Sequence, residues 1–357
     1  MVRRSDTATS VPSLRDPGAV PIPAGDDPSC RPGSLRSAIW RGGRLTSDRL
    51  DRLPGSLKAV PGELVWLDLC RPTQAQLDHL AALGLDPHSL EDTTAPRERP
   101  KTSRYADYSF STVYAIALDP QGTPRLRLSR ISAYALDSYL ITLREDDAFD
   151  MTPVVQRWAE DENLVRFGVD GLLHGLLDVV VDQHFDVMQS LDDESETLVD
   201  ALFADKPSLD ALQRQTFTVR RELVLLRRVV PPMRDVVATL IRDGQGRRKW
   251  PVSLISYYED LDDHVLRASE WCDALRDLLA NIFESSLALN DKQMNEAMKK
   301  VGGVAAIIAV PTLITGWYGQ NIPYWGFSTT AGFISSGVLV VIGVVGLYIL
   351  FRRKNWL

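Results

Sequence analysis

"FISSGVLVVIGVVGLYILF", Phe333–Phe351, carries no charge and has apolar residues on every side of a helix. It has no polar face to turn to water, so it must fill a core or cross a bilayer. Working outward, no Asp, Glu, Lys or Arg occurs anywhere from Val301 to Phe351. One crossing takes roughly 20 apolar residues. The run therefore predicts two spans, about Val301–Tyr318 and about Thr330–Phe351, joined by a short hairpin. Residues 301–357 read as a two-span transmembrane domain ending in a basic tail.

The flanking charges set the orientation. Lys299 and Lys300 precede the first span, and Arg352, Arg353 and Lys354 follow the second. Positive charge stays on the cytoplasmic side, so both termini are expected inside a cell membrane. Only about ten residues, Gly319–Ser328, face the other side. The opening "MVRRSDTATSVPS" has no apolar core, which predicts no signal peptide.

The rest of the chain reads as soluble protein. Of 357 residues, 24% are charged, and the net charge of -7 speaks against nucleic acid and for cationic partners. Three cysteines, Cys30, Cys70 and Cys272, have no metal-site spacing. A reducing compartment predicts that they are free thiols.

Residues 1–36 are rich in Pro, Ser, Gly and Arg without periodicity and read as disordered. Short β-prone runs such as "ELVWLDL", "YSFSTVYAIAL" and "SYLITLR", with the helix "TQAQLDHLAALG" among them, predict an α/β domain over 37–165. Thr73 is the expected N-cap of that helix and Gly84 its stop. Residues 166–300 switch to helical spacing and read as long stalk helices. One helix starts near Val252 and meets no strong breaker before Gly302-Gly303, so it is expected to run on through the first span to about Tyr318, roughly 100 Å in all.

Several clusters bear on function. Asp178, Asp182, Asp186, Asp193 and Asp200 fall at spacings of 4, 4, 7 and 7, one stripe of a helix. The pattern suits first a solvated face, with an electronegative surface that concentrates cations as the alternative. Glu91 and Asp92 are adjacent acids near a turn, where carboxylates commonly serve as helix-end charges. "YYEDLDDHVLR" puts Asp260 and Asp263 on one face of the long helix, as a cation site or as simple exposure. Asn295, Met298, Gly302, Ala305 and Thr312 mark one face near and within the first span. That face suits a pore lining as well as small-residue packing.

Together "LEDTTAPRERPK", "YYEDLDDHVLR", "QMNEAMKKV", "PTLITGWYGQN" and the closing "YILFRRKNWL" resemble, in order from about residue 64 to the end, the CorA family of divalent-cation transporters. The resemblance implies a funnel-shaped homopentamer in which the first span continues the long helix and lines the pore. The family's Gly-Met-Asn signature at the outer mouth corresponds here to Gly319, Gln320 and Asn321, with Gln in the middle place. The acid of the family's outer loop has no counterpart in "IPYWGFSTT". The resemblance further implies regulatory metal sites between subunits, with Glu91, Asp92, Asp260 and Asp263 at the matching positions.

On this reading Mg2+ is both cargo and regulator, and no organic cofactor is expected. Mg2+ keeps its waters reluctantly shed, so a ring of Asn321 amides can accept hydrogen bonds from a hydrated ion. Asn295 and Thr312 form further polar rings, and Met298 and Val301 an apolar constriction. No P-loop or nucleophile constellation suggests an enzyme. Co2+ or Ni2+ as cargo, Zn2+ as in the ZntB branch of the family, and a non-conducting membrane cation sensor are the alternative readings.

Overall fold

The computed structural model describes residues 30–95, 98–119, 122, 125–204, 207–320, 326–354 and 356. Two compact units emerge. One runs to His184 and takes in Pro232–Val265; the other holds Phe185–Pro231 and the chain from Leu266 onward. The long helices α5 (Val169–Leu202) and α8 (Val252–Tyr318) each contribute to both. The switch from strand to helix pattern near residue 165 is therefore not a packing boundary.

The first unit is built on a seven-stranded sheet in the order β2-β1-β3-β7-β6-β5-β4. Its strands are β1 (Ser34–Arg41), β2 (Arg44–Leu45), β3 (Glu63–Cys70), β4 (Lys101–Arg104), β5 (Ser109–Leu118), β6 (Leu126–Ala135) and β7 (Tyr139–Arg144). Only β3 and β7 pair in parallel; the other neighbours are antiparallel. β3 is central and nearly all buried, which is why "ELVWLDLC" reads as a continuous apolar run. Its buried charge, Asp68, is held by Arg144 of β7, whose Nη2 lies 2.7 Å from Oδ2. β1 begins at Ser34, ahead of the boundary expected after residue 36.

Helices α1 (Gln74–Ala82) and α2 (Pro87–Thr94) connect β3 to β4. Thr73 caps α1 in a reciprocal capping box with Gln76, and Gly84 follows with a φ of +104°. Asp86 caps α2, and Pro87 opens it. After β7, α3 (Thr152–Glu160) and α4 (Glu162–Arg166) lead into α5. Trp158 of α3 is buried edge-on against Trp40 and Trp66 of the sheet. Its indole N–H donates to the Leu172 carbonyl of α5 at 2.9 Å. A Cβ at Gly175 would lie 2.7 Å from that nitrogen, so a glycine is needed for this close approach.

Cys30 and Cys70 are joined by a disulfide with their Cα atoms 5.6 Å apart, which corrects the expectation of three free thiols. The cause is the β1–β3 register: Ser34 pairs with Cys70, which brings the segment just before β1 beside the end of β3. Cys272 remains a buried free thiol.

In the second unit, α6 (Leu209–Leu226) packs through Leu212, Val219, Leu223 and Leu226, and α8 through Leu275, Leu279 and Ile282. Helix α7 (Val230–Asp243), which belongs from Pro232 onward to the first unit, begins where α6 has ended, with Pro231 and Pro232 in its first turn, where their missing N–H groups cost nothing. Ser286 is still buried, but every residue of α8 from 291 to 300 is exposed. Helix α9 (Thr330–Arg353) closes the chain. α8 and α9 are both long and apolar enough to cross a membrane, and their apolar windows are only 6% and 0% buried, which rules out a soluble core helix.

Candidate functional site

The membrane part of α8 has two unlike sides. At about 100° per residue, Met298, Gly302, Ala305, Ala309, Thr312 and Gly316 lie within about 40° of one line. All are exposed, Met298 at 66%. Asn295 and Val301 flank the stripe and are exposed as well. The opposite side carries Val310 and Ile314, half-buried because α9 covers them. Gly343 is the contact point, since a Cβ there would fall 2.7 Å from Val310 Cγ1 and 4.0 Å from Ile314 Cδ1. A groove lined by Ala309, Thr312, Leu313, Gly316, Trp317 and Gln320 follows the open stripe.

The stripe is small and weakly polar. Thr312 donates its hydroxyl to the Ile308 carbonyl at 3.2 Å, which leaves oxygen lone pairs facing outward. Pro311 lies inside α8, and Thr315 Oγ1 donates to the Pro311 carbonyl at 2.8 Å. The helix ends as the Gly319 N–H donates to the Thr315 carbonyl at 2.8 Å. A Cβ on Gly319 would lie 2.9 Å from the Thr315 carbonyl oxygen. Gln320, two residues past the end of α8, lines the groove together with Thr312 and Gly316, and Asn321 lies outside the described residues.

The acids of the first unit occupy separate settings. Glu91 on α2 is open to solvent beside His88. Asp92 is half-buried, and its Oδ2 lies 2.7 Å from Lys101 Nζ, which also reaches Glu98 Oε1 at 3.0 Å. Partial burial alone would lower the Lys101 pKa, but the bonds to Asp92 and Glu98 outweigh it and hold the ammonium above its ordinary range. Asp260 and Asp263 on α8 are exposed, with Asp260 3.9 Å from His264. Among the described residues, no group of three or more His, Cys, Asp or Glu is placed to hold a metal ion within one chain.

The acid stripe of α5 is in part compensated. Arg157 pairs with Asp178 and, at 2.8 Å, with Asp182. Burial raises the Asp178 pKa against the opposing pull of Arg157 and His174. These members of the stripe are therefore not a free negative surface. Sequence reasoning missed Lys101, Glu98 and Arg157 as partners of the singled-out acids. The only available signal was local, the spacing of three between Glu98 and Lys101; Arg157 is paired across helices.

A sheet domain, a 67-residue helix running on into an apolar segment, and a second apolar helix packed on one side of it define a class, the two-span membrane proteins. The chain belongs to the CorA-like Mg2+ transporter protein family, whose model matches residues 61–353. It is 28% identical over 286 residues to the cobalt/magnesium transport protein CorA of Thermotoga maritima, covering 77% of each chain. It is 24% identical over 277 residues to the zinc transport protein ZntB of Yersinia enterocolitica, covering 72% of this chain and 77% of that one. Its fold matches the complete CorA magnesium transporter structure from Methanocaldococcus jannaschii with a TM-score of 0.72, at 22% identity and over 90% of this chain and 98% of that one. The protein is a membrane transporter of divalent cations.

Proposed function

We propose that the chain forms a homopentameric Mg2+ channel whose pore is lined by the open stripe of α8, with both termini in the cytoplasm. The observation that carries this is the exposure of that stripe opposite the side α9 covers. Five copies around an axis would cover the exposed α8 segment at residues 291–300 and set five Thr312 hydroxyls, five Gln320 amides and five Asn321 amides around one path. In proteins most helical stability comes from packing of one face, which supports bundling of copies around the exposed segment.

Amide and hydroxyl oxygens suit a hydrated Mg2+ ion. They accept hydrogen bonds from its waters without the tight hold of a carboxylate ring, and conduction needs release as well as entry. Asn295 continues the polar path on the cytoplasmic side, and Met298 and Val301 make an apolar constriction. No bond is made or broken. Entry is driven by the gradient and by the membrane potential, worth about 2.3 kcal/mol per charge per 100 mV.

Regulation follows from the acids of α2 and α8. Glu91 and Asp92 of one subunit would face Asp260 and Asp263 of the next and repel across the interface unless a cation neutralises them. Hard carboxylate oxygens are the donor set Mg2+ prefers. High cytoplasmic Mg2+ would then favour the closed ring, a population shift by differential affinity. A second reading, Zn2+ as cargo, draws on Gln320 in the signature and on the likeness to the Yersinia zinc transport protein. The test is flux of Mg2+, Co2+, Ni2+ and Zn2+, one metal at a time, into liposomes holding the purified protein. Mg2+ flux that Zn2+ fails to exceed is expected. Zn2+ flux alone supports the second reading, and metal binding without flux of any ion overturns both.

A further inference from the structure

Lys101 sits between two carboxylates that come from different supports. Asp92 is fixed on α2, where the neighbouring Leu90 and Thr93 are buried and the Thr93 hydroxyl donates to the Leu90 carbonyl at 2.6 Å. Glu98 is fixed from the sheet: the Tyr114 hydroxyl on β5 donates to its carbonyl at 2.6 Å. Lys101 opens β4 and pairs in register with Thr112 of β5. The three side chains are 29%, 25% and 32% exposed, so the cluster is neither free in solvent nor sealed from it.

Two carboxylates and one ammonium leave one net negative charge. The ammonium bonds to the same oxygens that a divalent cation would need. A lysine is a compact single charge on a flexible stem, so it can leave Asp92 without the backbone moving, and a divalent ion brings twice its charge to the same place.

We propose that Lys101 is a tethered counter-cation that competes with the regulatory divalent ion for Asp92 and thereby raises the Mg2+ concentration at which the site fills. The proposal rests on the reading of Asp92 as a regulatory carboxylate. Lys101 is a positioning residue here, touching Asp92 and not the transported ion. While the site is empty, its charge holds Asp92 toward β4; as Mg2+ rises, the lysine is left to Glu98 alone.

The test is protection of the full-length protein from protease as Mg2+ is titrated, with Mg2+ alone as the probe. Lys101→Met and Lys101→Gln should each lower the half-protecting Mg2+ concentration, roughly three- to tenfold, the scale of one partly exposed charge-assisted pair. Lys101→Arg keeps the charge and should stay at or above the unmodified value, a difference that a purely structural role would not produce. If either neutral variant runs at the unmodified size on gel filtration and its midpoint is unchanged or higher, the proposal is overturned. Asp92→Asn separates the two levels. If it shifts the midpoint while the neutral Lys101 variants do not, only the counter-cation role fails. If Asp92→Asn leaves the midpoint unmoved, the regulatory reading of Asp92 fails and the proposal with it.

Discussion

Gly343 of α9 lies against Val310 of α8, so close that a Cβ on the glycine would fall 2.7 Å from Val310 Cγ1. In a bilayer, where apolar side chains gain little by leaving lipid, such backbone proximity is what holds two helices together. Gly343→Leu should force α9 away from α8 and cost about 1–3 kcal/mol, the range for overpacking a close contact. A lowered thermal midpoint in detergent checks this. Gly346→Leu is the control, since nothing lies within 4 Å of a Cβ there.

The outer signature yields a second prediction. Asn321→Ala removes an amide proposed to meet the hydrated ion, so Mg2+ uptake should fall at least tenfold while the assembled size is kept. Gln320→Met restores the family residue without adding charge. It should alter the ranking of Mg2+, Co2+ and Ni2+ in competition assays more than it alters salt dependence. An unchanged ranking would assign Gln320 a structural role.

At the proposed regulatory interface, Asp260→Lys places a fixed positive charge where a cation is expected. Protease protection in this variant should no longer require Mg2+. Equal Mg2+ dependence in the variant and the unmodified chain would move the site elsewhere.

His184 supplies a pH prediction that is independent of transport. It is buried on α5, its ring nitrogen Nε2 donates to the Tyr114 carbonyl at 2.8 Å, and burial lowers its pKa to about 4. An unfolded histidine titrates near 6.5. Between those values the unfolded chain binds a proton that the folded chain does not, so stability falls as pH drops from about 6.5 to about 4, by up to about 3 kcal/mol. Thermal melts across that range should show a shallower decline in His184→Gln than in the unmodified protein.

The helical architecture was legible because charge marks it. The empty stretch from Val301 to Phe351 announces two spans, and the lack of any breaker between Val252 and Gly302 announces one continuous helix, which ends at Tyr318 as expected. The sheet was legible as strands but not as a topology. The parallel pairing of β3 with β7 joins Val65 to Tyr139 across intervening elements that no local pattern links. The Cys30–Cys70 bond was hidden for the same reason, since it depends on the β1–β3 register. For the site, the spacing of Met298, Gly302, Ala305 and Thr312 already drew the stripe. Which side α9 covers depends on Gly343, which reads in sequence as one small residue among many. The Lys101–Asp92 pair joins a strand to a helix, and residue spacing does not reveal that contact.

The central claim is that divalent cations pass along the side of α8 that α9 leaves open. Its most direct measurement is Mg2+ flux into liposomes before and after a positively charged thiol reagent, with Thr312→Cys and Ile314→Cys compared against the unmodified chain. The native free thiol, Cys272, is buried and contributes little background. The account predicts flux that the reagent cuts severalfold in Thr312→Cys and spares in Ile314→Cys. Block through Ile314→Cys with none through Thr312→Cys would contradict it.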